Sequence, residues 1–345
     1  ALSELDCDVH EFPPGTCYST SRGFVPFHRI PYHSPREMPL DIRLDILRKT
    51  LEESVVKRLM SDVPLGVYLS GGLDSSLIAA LARRHMDEMH TFCVGIEGSR
   101  DIEAARLVSR HIDSIHHEHI FTPDDVMKEL PKILYYLESF DQDLVRSGIP
   151  CYFCSRLASQ HVKVILTGEG ADELFAGYTY YKEIDDPETL GRELHRSITT
   201  LHNVNLQRVD RMTMAHGIEG RVPFLDLDLI EAAGTVPPEL KMRCGPNGKK
   251  VEKWILRKVA EDLLPEDIVW RDKEQFDEGS GTVDVLKSTL EKFAQDSGAE
   301  EYLRTHARDR LRSTEEAFYH KTLRELFGDS RVILDNVGRW QDRDV

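Results

Sequence analysis

The sequence reads as an α/β protein: a twisted parallel sheet with helices on both faces, followed by a mainly helical C-terminal part. Three observations point there. Short apolar, β-rich runs end in glycine-containing turns, amphipathic helical stretches separate those runs, and beyond Lys182 only helical periodicity remains.

Taken in order, residues 1–37 carry prolines at 13, 14, 26, 31 and 35 and read as an irregular entry segment. Leu44, Leu47, Leu51, Val55 and Leu59 then recur three and four apart, which makes 40–59 an amphipathic helix. Gly66 to Leu69 is a short buried strand, and Leu77, Ile78 and Leu81 share one face of the helix after it. Met89 to Ile96 is a second strand, 103–111 a helix, 115–121 a third strand and 126–136 another helix. Residues 140–150 read as a loop entering the helix that carries Arg156, and 162–166 as a fourth strand. These elements define an α/β domain over 38–182. Residues 183–345 form the helical part, with helices expected over 190–214, 251–263, 283–293 and 314–326.

Composition excludes several classes. Forty per cent hydrophobic and 30% charged residues are ordinary for a globular protein of 345 residues, and no apolar stretch has membrane-spanning length. A formal charge of −16 argues against a nucleic-acid partner, because coating phosphates needs a basic face. Ala1 to Asp6 lacks the pattern of a secretory leader, and six scattered cysteines read as reduced thiols, so a cytoplasmic location is expected. Cys151-Tyr152-Phe153-Cys154 reads as helix packing, since no second pair stands at zinc spacing. His116-His117-Glu118-His119 places His117 and His119 on one face of a strand. It reads as a half-exposed strand, because no partner cluster elsewhere in the sequence completes a metal shell.

The chemistry concentrates in two strand-end loops. Ser70-Gly71-Gly72-Leu73-Asp74-Ser75-Ser76 joins a strand to a helix. Two glycines let the backbone turn with its N–H groups exposed, and the serine pair is expected to cap a helix whose positive end faces an anion. Asp74 is a poor phosphate ligand but a good oxygen donor to a Mg²⁺ riding on phosphates. The common G-x-x-x-x-G-K-[ST] loop is absent, and Gly245 to Lys250 does not supply it. Thr167-Gly168-Glu169-Gly170-Ala171-Asp172-Glu173 has no third glycine and three acidic groups, which rejects a dinucleotide fingerprint. Asp172 reads as a second Mg²⁺ ligand and Glu169 as a group free for proton transfer; a carboxylate-rich helix start is the competing reading. The charges at 206–211 and 219–226 fit buried ion pairs, and Lys253, Arg257, Arg271 and Lys273 are natural clamps for departing pyrophosphate.

SGGLDSS resembles the pyrophosphate loop of the N-type ATP pyrophosphatases, the PP-loop or adenine-nucleotide alpha-hydrolase-like fold. The order SGGLDSS, VILTGEGADELFAGY, RVDRMTMAHGIEGRVPFLD, KVEKWILRKVAEDLLP and WRDKEQF is similar to the synthetase half of glutamine-hydrolysing asparagine synthetase, from about Phe12 to Gly281. Phe12-Pro13-Pro14-Gly15 resembles the junction with that family's glutaminase domain, whose N-terminal cysteine and body are missing here. The resemblance implies a fragment of a longer protein, or ammonia from another source. It further implies ATP with its adenine and ribose near Leu69, Val94, Thr167 and Gly168, its pyrophosphate on Ser70, Gly71, Gly72, Ser75 and Ser76, and Mg²⁺ on Asp74 and Asp172. Aspartate would be adenylated on its β-carboxylate and ammonia would displace AMP. Lys253 and Lys273 would stabilise phosphate charge, Glu169 would take a proton from ammonia, and Arg146 would lie near pyrophosphate and acceptor. Asp143 and Leu144 replace two threonines common in the family, and Gly148 and Ile149 replace small hydroxyl residues. The alternative is therefore a related amide or β-lactam-type synthetase that adenylates a different carboxylate. A homodimer is one assembly compatible with either reading.

Overall fold

The computed structural model describes residues 9–244, 249–272, 279–283 and 298–340. The entry segment is less irregular than its prolines imply. Strands β1 (Thr16–Ser19) and β2 (Gly23–Pro26) pair antiparallel. Their turn is set by Ser19, whose Oγ and carbonyl both accept from the Arg22 amide at 3.1 and 3.2 Å.

The chain then alternates helix and strand: α1 (Leu40–Lys57), β3 (Leu65–Tyr68), α2 (Leu73–Arg83), β4 (His90–Gly95), α3 (Arg100–Ile112), β5 (Ile115–Ile120), α4 (Pro123–Leu137), α5 (Gln142–Ala158), β6 (Val164–Leu166) and the short α6 (Ala171–Phe175). Helices α7 (Pro187–Thr199) and α8 (Asn205–Met214) precede a fifth sheet strand, β7 (Glu219–Arg221). All five strands run parallel in the order β5-β4-β3-β6-β7. Val67, Ile165 and Leu166 are fully buried, as central strands covered on both faces require. Strands β4 and β5 lie to one side of β3, and β6 and β7 to the other. The loops after β3 and β6 therefore leave in opposite directions and open a crevice at the strand C-termini, the place where such sheets bind ligands.

Three expectations are corrected. Residues 142–158 are helical where a loop was expected up to 150. Asp141 caps that helix by accepting from the amides of Asp143 and Leu144 at 3.0 and 3.1 Å, and the helix accommodates Pro150. The stretch 190–214 is two helices, broken by a tight turn at Leu201–Asn203. Glu219–Arg221, too short and polar to signal a strand, adds onto β6 because its backbone extends the ladder. The expected helix over 283–293 lies almost entirely outside the described residues.

One continuous apolar core runs from Leu47, Leu51 and Val55 of α1, through the sheet, to Ile255, Leu256 and Val259 and on to Tyr319 and Leu323. The C-terminal helices thus share the core of the sheet. Cys151 and Cys154 are buried in α5 as free thiols, in line with helix packing.

Candidate active site

Leu69, just past β3, donates its amide to the Phe92 carbonyl at 2.8 Å, and the chain turns at Gly71, whose φ of +73° lies in the left-handed region. Helix α2 starts at Leu73 after Gly72, without a side-chain cap. The expected cap by Ser75 and Ser76 is corrected: both lie in the first turn of α2. Ser75 Oγ instead sits 3.2 Å from the Ser70 amide and 3.0 Å from Ser70 Oγ, closing the loop on itself. The Ser76 amide already donates to the Gly72 carbonyl at 3.1 Å, whereas the amides of Leu73, Asp74 and Ser75 precede the first helical acceptor, which makes the loop an anion cradle.

Across the crevice, Thr167 follows β6 and donates its amide to the Arg221 carbonyl at 2.9 Å. Glu169 and Asp172 follow. A cavity of about 560 Å³ lies between the two loops. Its lining includes Leu69, Ser70, Gly72, Asp74 and Ser75 from the first loop, Val94 from the end of β4, and Thr167, Gly168, Glu169 and Asp172 from the second. Gly71 and Ser76 belong to the loop without lining the cavity.

Lys253 joins the two loops. It precedes the helix Trp254–Ala260 with a φ of +54°, an uncommon conformation for a residue with a side chain, and is 2% exposed. Its Nζ lies 2.5 Å from Asp74 Oδ2 and 2.6 Å from Asp172 Oδ1. Gly177 makes this reach feasible, because a Cβ there would lie 1.8 Å from Asp172 Oδ1 and 2.1 Å from Lys253 Cε. Asp74 Oδ1 is buried with no hydrogen-bond partner among the described residues. Two carboxylates of hard oxygen donors, one oxygen of them uncommitted, fit a Mg²⁺ that also takes oxygens from substrate phosphates.

Other basic residues divide by role. Arg271 lines the cavity beside the first loop, donating to the Gly71 carbonyl at 3.4 Å and to Asp101 at 3.0 Å. Arg257, expected as a clamp, lines the cavity but is largely buried: it bonds Glu252 at 2.7 Å and the carbonyls of Val269 and Arg271 at 2.6 and 2.9 Å, fixing the turn that carries Arg271. Lys273 lies outside the described residues.

Two further expectations change. Glu169 is not free, because the buried Arg208 of α8 donates to its Oε1. Arg146 is absent from the cavity lining; it forms a two-pronged pair with Glu315, at 2.8 and 2.5 Å, on the helix Thr314–Phe327. From the helix of Arg146, α5, the residues Asp143, Leu144 and Ser147 line the cavity, together with Tyr178, Asn205 and Trp340. Of these, Tyr178 ends the VILTGEGADELFAGY stretch, whereas Asn205 and Trp340 carry no local motif. Asp141 places Trp340 by accepting from its amide at 3.0 Å, and Arg312 holds Asp141 at 2.9 Å.

The sequence matches the family model described as Asparagine synthase over residues 46–188 and 183–341. The chain belongs to the asparagine synthase family. Among the relatives of this asparagine synthase family member are an asparagine synthetase [glutamine-hydrolyzing] of Triphysaria versicolor, 39% identical across 84% of this chain and 53% of its own. A probable asparagine synthetase [glutamine-hydrolyzing] of Schizosaccharomyces pombe is 39% identical across 97% of this chain and 65% of its own. Asparagine synthetase [glutamine-hydrolyzing] 2 of Arabidopsis thaliana is 36% identical across 95% and 59%. The chain therefore spans between half and two thirds of the length of these relatives. No described helix is long and apolar enough to cross a membrane.

Proposed function

We propose that this chain makes asparagine from aspartate, ATP and ammonia, releasing AMP and pyrophosphate, as an AMP-forming carbon–nitrogen ligase. The observation that carries the reading is the convergence of the Ser70–Ser76 cradle and the Glu169–Asp172 loop on one lysine at the switch point of the sheet. The names of the relatives support asparagine as the product.

In this reading adenine and ribose lie against Leu69, Val94, Thr167 and Gly168, and the β- and γ-phosphates lie on the free amides of the first turn of α2. Asp74 and Asp172 hold Mg²⁺, which neutralises phosphate charge when bound. The β-carboxylate oxygen of aspartate attacks the α-phosphorus, the bond to the bridging oxygen breaks, and pyrophosphate leaves with that oxygen's electrons. Lys253 turns its ammonium from the carboxylates to the developing negative charge, and Arg271 and Lys273 close the basic side. Ammonia then adds to the acyl carbon, AMP departs, and Glu169 takes the surplus proton while Arg208 fixes the orientation of its carboxylate. Ammonia comes free or from glutamine hydrolysis, the activity that the relatives' names carry. The reduced buried thiols fit a cytoplasmic setting, and a homodimer is the assembly we carry forward.

The test is pyrophosphate release from Mg·ATP with ammonia, comparing aspartate, no acceptor and a panel of other carboxylates. Release that requires aspartate and yields asparagine and AMP is expected. Release with a different carboxylate alone would move the protein to another amide synthetase class.

A further inference from the structure

The histidine pattern at 116–119 has a completion that is invisible in one dimension. Parallel pairing of β4 and β5 sets His117 beside Phe92 and diagonal to His90, two residues earlier on β4. Helix α5 runs back across these strands, and the turn at its end delivers His161 to the same place. His90 Nδ1 lies 2.9 Å from His117 Nε2, and the rings of His117 and His161 are 3.8 Å apart, centroid to centroid. One nitrogen from each of the three imidazoles lies within 4.8 Å of the others. Phe92 stacks on His117 at 5.1 Å and closes the inner side, whereas His161 is exposed and leaves the outer side open to water.

We propose that His90, His117 and His161 bind a divalent transition-metal ion, of which zinc is the type, at the N-terminal edge of the sheet. Three neutral imidazoles suit Zn²⁺, Ni²⁺ or Cu²⁺ and not Mg²⁺. Metal–nitrogen bonds of about 2.0–2.1 Å require ligand atoms no more than about 4 Å apart, so small ring rotations close the site. The carboxylate of Glu88, 3.8 Å from His90 Nε2, is positioned to orient that ring from outside. The site lies at the opposite end of β4 from Val94, with Phe92 between them, lining the ATP crevice and stacking on His117. His90 begins β4 and Gly95 ends it, so roughly 16 Å of strand lies between the two ends at about 3.3 Å per residue. Its effect is mechanical: the ion adds a tie between the edge strand β5, β4 and the turn entering β6, on top of the parallel ladder that joins β4 to β5.

The experiment is titration of the metal-free, full chain with Zn²⁺ and separately with Co²⁺, read by calorimetry, by the visible bands of Co²⁺ and by the melting temperature. One equivalent bound, a nitrogen-type Co²⁺ spectrum without thiolate charge transfer and a higher melting temperature are expected. His161→Ala, an exposed change that the fold tolerates, should weaken binding at least about tenfold and abolish the thermal shift, while pyrophosphate release with Mg·ATP stays at the parent level. His90→Gln should act in the same direction. Equal affinity and equal thermal shift in the parent and in His161→Ala, or a spectrum dominated by thiolate ligation, would overturn the site.

Discussion

The Lys253 ammonium lies between Asp74 and Asp172, 2.5 Å from one carboxylate and 2.6 Å from the other, at the point where two strand-end loops meet. The arrangement sets one buried cation against two acidic groups in a crevice, so the trio keeps a net negative charge. It also puts a charge that phosphate can recruit next to the oxygens that Mg²⁺ can claim. Removing one partner of a buried ion pair strands the other, at a cost of about 3–5 kcal/mol. Lys253→Met should therefore lower the melting temperature and reduce pyrophosphate release at least about a hundredfold. Mg²⁺ should raise the melting temperature of Lys253→Met more than that of the parent, because the ion replaces the lost ammonium. An equal response in both proteins would remove the two aspartates as shared ligands.

Gly177 tests the same geometry from the backbone side. Its missing side chain leaves space that Asp172 Oδ1 and Lys253 Cε fill. Gly177→Ala should push these groups apart and lose activity by a factor comparable to Lys253→Met. Full pyrophosphate release in Gly177→Ala would show that Lys253 works from another position.

The order of strands and helices around the phosphate loop was legible because apolar period and glycine turns are local signals. Leu69, Ser70, Asp74, Val94, Gly168 and Asp172 meet in space as their motifs imply. What stayed hidden depends on partners remote in sequence. Arg146 sits one turn from Asp143 on the cavity wall but turns to Glu315, 169 residues away, and nothing near either residue announces the pair. Arg208 could be read as a buried ion-pair member, but not as the partner of Glu169, since only the packing of α8 on the sheet brings them together. The helix over 142–158 was masked by Gly148 and Pro150, whose local preferences lose to twelve buried positions along it.

Glu173 predicts a pH dependence of stability. It is buried; desolvation, with Asp172 beside it, pushes its carboxyl up to about 7, against the opposing hydrogen bond from Tyr178 Oη at 2.5 Å. Its folded value lies above its ordinary 4.5, so the folded state holds a proton that the unfolded state releases between those values. The resulting stabilisation is complete below about 4.5 and disappears as pH rises through about 7. A shift of this size corresponds to on the order of 3 kcal/mol at about 1.4 kcal/mol per unit. Glu173→Gln, which keeps an acceptor for Tyr178, should flatten the melting temperature between pH 5 and 8 relative to the parent. Parallel profiles for the two proteins would exclude Glu173 as the titrating group.

Glu169 separates the two half-reactions. It lines the cavity, and its pairing with Arg208 helps to orient its carboxylate. In the proposed mechanism, activation of the acceptor uses the phosphate cradle, Lys253 and the two aspartates, none of which depends on the charge of Glu169. Attack by ammonia leaves a proton that must go somewhere, and positioned general bases contribute about 10²–10⁴-fold. Glu169→Gln should therefore retain aspartate-dependent exchange of pyrophosphate into ATP while amide formation falls by about that factor. Arg208→Met should behave differently: the half-buried Glu169 carboxylate loses its ion pair with the buried Arg208, so the melting temperature falls as well, and amide formation is lost through misplacement of Glu169. Loss of both exchange and amide formation in a folded Glu169→Gln protein would assign Glu169 to activation and leave the ammonia proton to another acceptor.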